Sequence, residues 1–444
     1  MLPRYKVLNA AIDHMPMEQV RRMQSQRLCN MVQYAYDSTL FWKKKFDAAG
    51  LRPQDIHGIE DLDKIPFCTK EELQQDQAEH PPFGSYTASH RSTWVKYFAT
   101  SGTTGRPLKR VFSQRDWNYL LERYMRNSAI QPGDISILLG PMDGFMGPTA
   151  TMDSFNAQGA MVIPAGLMES KAKLKLIQEI QPQSVSGTVS YLLYLGELAK
   201  KEGIDLPGIK SLKVVTAVGE PGAAIPETRA RLLEYWGDVH IHDAYGMTEF
   251  FPLAPNCHMS QSLHLANDFV IAEVVDPQTG KPLPEGESGE LVLTNIISDT
   301  QPLLRYRTRD LVTLDSTPCA CGCTNVRLKY GIEGRVDDMI WYKGTNVFPS
   351  AVERVLRGDP RFGNEFQILL RREGEKQTLT VKAEVEEMVS GEDYSTLAAW
   401  LRQELKEAIK VNAQVELLPV GTLPATEYKA KRVVDLRHLK GEEG

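Results

Sequence analysis

Between residues 115 and 240, short apolar runs alternate with stretches of helical periodicity, and this alternation limits what the chain can fold into. Ile135–Leu139, Ala160–Ile163 and Leu212–Val218 are short and continuously apolar, so they are expected as buried strands. Residues 171–180, 190–201 and 226–236 read as helices, the last with Pro226 suited to its first turn. Such alternation predicts an α/β fold, a mostly parallel sheet with helices on both faces. In sheets of this kind ligands sit beyond the carboxyl ends of the strands.

Upstream, residues 15–36 place Val20, Leu28, Met31, Val32 and Ala35 at mostly helical spacing, which predicts a long amphipathic helix. Thr69 and Glu72 form a capping-box pair that starts another helix. With 444 residues the chain is too long for one ordinary core. Its 42% hydrophobic and 24% charged residues are those of a soluble globular enzyme. A net charge of −6 argues against nucleic acid as a partner. No apolar run approaches a membrane span, and the N-terminus lacks a signal-peptide pattern, so a cytoplasmic protein without a membrane partner is expected. Six cysteines in so long a chain make no disulfide framework, but Cys319, Cys321 and Cys323 crowd together as metal ligands do.

The strand-like Trp94–Phe98 runs into a loop of hydroxyls and glycines: Ser101, Gly102, Thr103, Thr104 and Gly105. Glycine lets successive N–H groups converge on an anion, the hydroxyls add donors, and Arg106, Lys109 or Arg110 can supply countercharge. The spacing is not that of the P-loop NTPases, and a plain surface loop is the competing reading. Four further stretches follow in order: Asp243–Glu249, Leu304–Leu311, Gly334–Asp337 and Leu423–Val433. Gly140–Pro148 combines Phe145 and Met146 with backbone-opening glycines, and Ser186–Thr188, with Gly187, follows the next apolar run. Both are candidate walls of an acid pocket; core packing is the alternative for Phe145 and Met146.

These five motifs in this order resemble the ANL superfamily of adenylate-forming enzymes, and their context resembles its phenylacetate–CoA ligase branch. The resemblance covers nearly the whole chain. It implies that Ser101, Gly102, Thr103, Thr104 and Gly105 hold ATP phosphates, and that Gly219, Glu220 and Pro221 lie along the adenine. Asp243, Ala244, Tyr245 and Gly246 belong to the same nucleotide site, Tyr245 offering a flat face to the base. Thr248 would meet phosphate and Glu249 would hold Mg²⁺ through a hard oxygen. Asp310 would accept from the ribose hydroxyls; Arg309 stands where most of the superfamily has Gly, a departure familiar in this branch.

The resemblance further implies a hinge at Asp337, with Arg335 reaching the phosphates and Gly344 lining the CoA channel. Lys429 matches the catalytic lysine, with Tyr428 where Gly is usual and Lys431 as a neighbour. It assigns Cys257, His264, Cys319 and Cys321 to a structural Zn²⁺, with His258 as a rival ligand and free thiols as the alternative. Two domains are expected: residues 1–333, including a zinc loop near 257–323, and a small, mobile α+β domain with an antiparallel sheet over 334–444. The implied activity is an ATP-dependent aryl-CoA ligase joining an aromatic carboxylic acid to CoA through an acyl-adenylate, with a homodimer suggested by the branch. Two other readings stay open. One is a stand-alone adenylating enzyme that loads a carrier protein; the other is a nucleotide- and zinc-binding module without turnover.

Overall fold

A computed structural model of the chain describes residues 9–100, 106–126, 128–142, 144–250, 252–343, 345–373, 376–389, 393–424 and 432–437. The chain divides into two compact units. One comprises residues 1–168, 182–186 and 242–331; the other comprises 169–181, 187–241 and 332–444. The second unit thus gathers the C-terminal stretch with two segments from the middle of the chain.

In the first unit the long helix spans Met17–Ser38 and buries Val20, Leu28, Met31, Val32 and Ala35, the apolar positions seen in the sequence. The Thr69–Glu72 box starts helix Lys70–Glu79: Thr69 Oγ1 accepts from the Glu72 amide at 3.3 Å, and Glu72 Oε2 accepts from the Thr69 amide at 2.8 Å. Strands Ile135–Leu138, Met161–Pro164 and Ser184–Gly187 are parallel, with Ile137 opposite both Ile163 and Val185. The strand Trp94–Ala99 forms, but it pairs antiparallel with Lys109–Ser113 in a two-stranded ribbon.

A second sheet in this unit is antiparallel. Val270–Val275, Ser288–Asn295 and Tyr306–Asp315 lie side by side, and Arg327–Leu328 and Leu263–His264 continue it. The alternation upstream of residue 240 carries no information about this sheet, whose strands follow one another without intervening helices.

In the second unit the helices Ser170–Ile180, Val189–Lys201 and Pro226–Trp236 accompany the strand Val214–Val218. Two of these helices meet at Gly196, where a Cβ would lie 2.4 Å from Tyr235 Cβ, so only glycine allows the approach. Trp236 Nε1 donates to the Leu192 carbonyl at 3.1 Å across the same seam.

The C-terminal part of this unit carries helices Pro349–Arg357 and Tyr394–Ile409 over a four-stranded sheet, with Val352, Leu356, Leu397, Leu401 and Leu405 buried against Ile368. Here the expected antiparallel sheet is corrected. Only the central pair, Phe362–Glu373 with Lys376–Val385, is antiparallel; Gln414–Pro419 and Val433–Asp435 add in parallel on either side. Helix Tyr394–Ile409 is the crossover that a parallel pairing needs. Among the described residues no helix is long and apolar enough to cross a membrane.

Candidate active site

The strand His240–Tyr245 delivers Asp243, Ala244 and Tyr245 to its carboxyl end, and Gly246 follows. Beyond it the chain folds back on itself: the Met247 and Phe250 amides each donate to the other residue's carbonyl at 3.0 Å. This tight loop holds Thr248 and Glu249 between its ends. The Asp243 amide donates to Asn256 Oδ1 at 3.2 Å and the Asn256 amide returns to the Asp243 carbonyl at 2.9 Å, which fixes the strand end.

Two carboxylates of the site are gripped by tyrosines. Tyr245 Oη donates to Asp310 Oδ2 at 2.5 Å. Tyr306 Oη donates to Glu249 Oε1 at 3.0 Å, and Glu249 is 8% exposed. Burial, reinforced by the Glu249 charge, drives the Tyr306 phenol well above its ordinary range, so it remains a donor. Tyr306 lies inside the Leu304–Leu311 motif but does not stand out in the sequence; the clue available is an aromatic flanked by Arg305 and Arg307 in a motif that also carries Asp310.

Asp310 owes its position to a bulge. The pairing of Ser288–Asn295 with Tyr306–Asp315 shifts register between Glu290 and Val292. Arg309 takes φ +66° there, its amide donating to Glu290 Oε1 at 3.2 Å, and Thr308 Oγ1 accepts the Asp310 amide at 3.1 Å. A left-handed backbone at residue 309 accounts for the Gly that the superfamily places there.

Among the acid-pocket candidates, Phe145 is half-buried and caps the helix Met146–Ala157, its carbonyl accepting Thr149 Oγ1 at 3.0 Å. Met146 is buried among Phe98, Phe112, Trp117 and Leu120. Its side chain thus packs with these aromatic and apolar residues of the first unit.

In the second unit, Gly187 is buried at the end of its strand and Thr188 caps the helix Val189–Lys201. Glu220 reaches the same helix start, its Oε1 accepting the Ser190 amide at 2.5 Å, where the helix dipole favours a carboxylate. Gly219, before Glu220 and Pro221, has φ +90°. Arg335 and Asp337 form an exposed ion pair at 3.3 Å. The assignments to Ser101, Gly102, Thr103, Thr104, Gly105, Gly344 and Lys429 lie outside the described residues.

Cys257, His264, Cys319 and Cys321 converge in the first unit, with their ligand atoms all within 4.8 Å of one another. Cys257 Sγ and Cys319 Sγ are 3.7 Å apart. Metal–sulfur bonds of about 2.3 Å in a tetrahedron put sulfurs ~3.8 Å apart, so this pair already has the spacing of two ligands. Among the described residues neither ring nitrogen of the buried His264 has a hydrogen-bond partner, and burial pushes its pKa down to about 4, keeping the imidazole neutral as a ligand must be. Hydrogen bonds from the Cys257 and Cys323 thiols hold the Cys321 thiolate far below the ordinary thiol range. His258 is not in the group.

The loop that carries Cys319 and Cys321 is tied to the start of the described chain: the Thr324 amide donates to the Asp13 carbonyl at 2.9 Å and Thr324 Oγ1 to the Met15 carbonyl at 2.6 Å. Beside it lies a buried charge cluster that the sequence did not reveal. Arg126 Nη1 donates to Asp268 Oδ2 at 2.9 Å, Arg123 lies 3.8 Å from both Asp13 and Asp268, and Tyr119 Oη donates to Asp268.

Comparison with known proteins identifies the family. The family model for AMP-binding enzymes matches residues 16–296, and that for the AMP-binding enzyme C-terminal domain matches residues 344–437. The chain is 33% identical to the phenylacetate-coenzyme A ligase of Thermus thermophilus, covering 96% of this chain and 98% of that one. It is 30% identical to the Escherichia coli phenylacetate-coenzyme A ligase, covering 97% and 98%. A 2-hydroxyisobutyryl-CoA ligase solved in complex with 2-HIB-AMP is similar with a TM-score of 0.90 at 28% identity, covering 96% of this chain and 91% of that one. With both family models matched and near-full-length relatives of one kind, this chain belongs to the AMP-binding enzyme family of adenylate-forming ligases, within the phenylacetate–CoA ligase group.

Proposed function

We propose that the chain is an ATP-dependent aryl-CoA ligase, converting an aromatic carboxylic acid, ATP and CoA to aryl-CoA, AMP and pyrophosphate. The observation that carries this reading is the pair of tyrosine–carboxylate bonds. Tyr245 with Asp310 and Tyr306 with Glu249 bring two motifs, some sixty residues apart in sequence, into one preorganised site. Near-full-length similarity to phenylacetate-coenzyme A ligases supports the same chemistry.

In the first half-reaction the substrate carboxylate attacks the α-phosphorus of ATP and pyrophosphate departs, leaving an acyl-adenylate. In the second, the CoA thiol attacks the acyl carbon and AMP departs. A carboxylate is inert to thiols because oxide is a poor leaving group; AMP is a good one. Catalysis is then chiefly positioning and charge stabilisation. Tyr245 offers a flat face to adenine and Asp310 accepts from the ribose; Gly219, Glu220 and Pro221 are the residues proposed to lie along the base. Ser101, Thr103 and neighbouring amides hold the outer phosphates, while Lys429 bridges the carboxylate and the α-phosphate. Mg²⁺ held by Glu249 neutralises phosphate charge when bound. Phe145 and Gly187 contribute to the acid pocket.

Residues 334–444 act as a small domain that turns about Asp337 between the half-reactions, bringing Gly344 to the CoA channel. Cys257, His264, Cys319 and Cys321 hold Zn²⁺, which braces a loop, since four protein ligands leave no open position for catalysis. The enzyme is proposed to work in the cytoplasm, as a homodimer.

The test is mass spectrometry of the products formed with Mg·ATP, CoA and a mixed pool of carboxylic acids. One dominant aryl-CoA with matching AMP is expected. Acyl-adenylate without acyl-CoA would transfer the reading to carrier loading, and no AMP across the pool would leave a binding module.

A further inference from the structure

Helix Lys70–Glu79 carries two glutamines whose side chains bond as a neighbouring strand would. Gln77 is buried, and its amide pairs with both backbone groups of Lys109: Oε1 accepts from the Lys109 amide at 3.0 Å and Nε2 donates to the Lys109 carbonyl at 2.6 Å. Nε2 also donates to Tyr86 Oη at 2.7 Å, which fixes the orientation of the amide. One turn earlier on the helix, Gln74 donates to the Arg106 carbonyl. A carboxamide offers an acceptor and a donor side by side, and here it completes the outer edge of the two-stranded ribbon formed by Trp94–Ala99 and Lys109–Ser113.

The place of this clamp matters. Across the ribbon the Thr100 amide donates to the Leu108 carbonyl and the Leu108 amide to Thr100 Oγ1, each at 3.0 Å. Residues 100 and 108 thus flank the glycine–hydroxyl stretch as a bonded pair, and Gln77 holds the next residue, Lys109, from the opposite edge. Farther along the strand the Val111 and Ser113 amides donate to Gln301 Oε1 and Thr300 Oγ1, both at 3.0 Å, so the helix glutamines act at the end where the chain returns from the stretch. The start of the same helix reaches the other side of the site. Cys68, just before the Thr69 cap, bridges to Tyr306: its amide donates to the Arg305 carbonyl at 3.0 Å, and its carbonyl accepts from the Arg307 amide at 2.9 Å. Tyr306 in turn donates to Glu249. One helix of 10 residues, about 15 Å long, therefore joins the carboxylate assigned to Mg²⁺ to the strand that leaves the glycine–hydroxyl stretch. A glycine-rich segment gains most from fixed ends, because freedom left to it must be given up each time a ligand binds.

We propose that Gln77 is a positioning residue for ATP. It touches no substrate; by clamping both backbone groups of Lys109, with Gln74 on the Arg106 carbonyl, it fixes the returning end of the glycine–hydroxyl stretch against the element that aims Glu249. This rests on the ligase reading, which gives the outer phosphates to that stretch, and deepens it by naming a residue that lies outside all five motifs. AMP lacks the outer phosphates, so its binding does not depend on the clamp.

The test is calorimetric titration of the full chain with Mg·ATP, without any carboxylic acid, and separately with AMP, for wild type, Gln77→Met and Gln77→Asn. Met keeps the length of the side chain and removes both polar atoms; Asn keeps the amide and withdraws it by one methylene. Expected is a loss of about tenfold in Mg·ATP affinity for Gln77→Met, a loss of several-fold for Gln77→Asn, and AMP affinity within about twofold of wild type in both. Mg·ATP affinity within about twofold of wild type in Gln77→Met would overturn the proposal. So would an equal loss of both ligands, the mark of a merely structural tie, or a wild type that does not bind Mg·ATP. If Gln77→Met does not fold, Gln77→Asn decides, and undiminished Mg·ATP binding in it counts against the assignment. Failure of the ligase reading looks different: wild type forms no acyl-CoA or AMP from the acid pool, while Gln77-dependent Mg·ATP binding persists.

Discussion

Tyr306 Oη donates to Glu249 Oε1 at 3.0 Å, and the Phe250 ring lies 5.8 Å from the Tyr306 ring. The carboxylate proposed to hold Mg²⁺ is thus aimed by a phenol from a strand more than fifty residues downstream. Tyr306→Phe removes the donor and keeps the ring. It should raise the Mg²⁺ concentration needed for half-maximal adenylation several-fold, with little change at saturating Mg²⁺, on the scale of one hydrogen bond to a charged group. Because the phenol is driven well above its usual range, the difference between variant and wild type should persist unchanged from pH 6 to pH 9. An unaltered Mg²⁺ curve would show that Glu249 needs no such aim.

Lys429→Ala should lower the adenylation rate by roughly 10²–10³, the scale of losing one preorganised donor. Asp337→Pro, which fixes the backbone at the proposed hinge, should spare adenylation and block thioester formation. Separate assays of pyrophosphate exchange and of CoA transfer read the two effects. Normal adenylation in the lysine variant, or equal loss of both half-reactions in the proline variant, counts against the roles given to them.

Asp268 is buried, which disfavours its charge, yet Arg123 and Arg126 hold its carboxyl below the ordinary aspartate range. Its unfolded counterpart binds a proton near pH 4, so the stability it contributes is complete above that pH and is lost as pH falls through the lower folded value. Asp268→Asn should cost about 3–5 kcal/mol at pH 7, because Arg126 is left buried and half-paired. The gap between variant and wild type in urea unfolding should narrow below about pH 4. A gap that is constant across that range would place the stabilisation elsewhere.

Metal analysis of the purified chain should find about one equivalent of zinc. Cys319→Ser should abolish it, lower the melting temperature and leave the affinity for AMP in the residual folded protein unchanged, as expected of a brace. Zinc retained in that variant would mean that Cys323, whose thiol bonds Cys321, has replaced the lost sulfur.

Arg309 sits at φ +66°. Arg309→Gly should fold with a stability within about 1 kcal/mol of wild type, the relieved strain offsetting the extra freedom of the unfolded chain. A β-branched Arg309→Val should lose about 2 kcal/mol and weaken ATP binding, since Asp310 is the next residue. Equal stability for Gly and Val would show that the bulge relaxes freely.

Local chemistry made some features legible in the sequence. The capping box at Thr69, Pro226 in the first turn of its helix and the apolar periodicity of residues 15–36 all concern neighbours in the chain, and their side chains report directly on backbone geometry. The convergence of Cys257, His264, Cys319 and Cys321 was legible because clustered cysteines in a chain without a disulfide framework are uncommon. The Tyr306–Glu249 bond and the Arg123–Asp268 cluster were not, because long-range pairs of common polar residues have no spacing signature. The mixed C-terminal sheet was missed for a related reason. Helix Tyr394–Ile409 signals a crossover, but the partner of the following strand is decided by packing. Met146 illustrates the limit for apolar side chains, since nothing in sequence distinguishes a pocket wall from the core behind it.

The bonds from Thr324 to the Asp13 and Met15 carbonyls have a practical consequence. Residues 10–15 supply backbone acceptors to the loop that carries Cys319 and Cys321. A truncation that begins the protein at the long helix, a natural choice for crystallography, would strip those acceptors away. It would also discard the Asp13 carboxylate, which accepts from Asn325 Nδ2 at 3.3 Å. The shortened protein is then expected to be more readily cut by proteases near residue 320 and to surrender its metal faster to a chelator. The first short helix behaves as a latch for a loop some three hundred residues away.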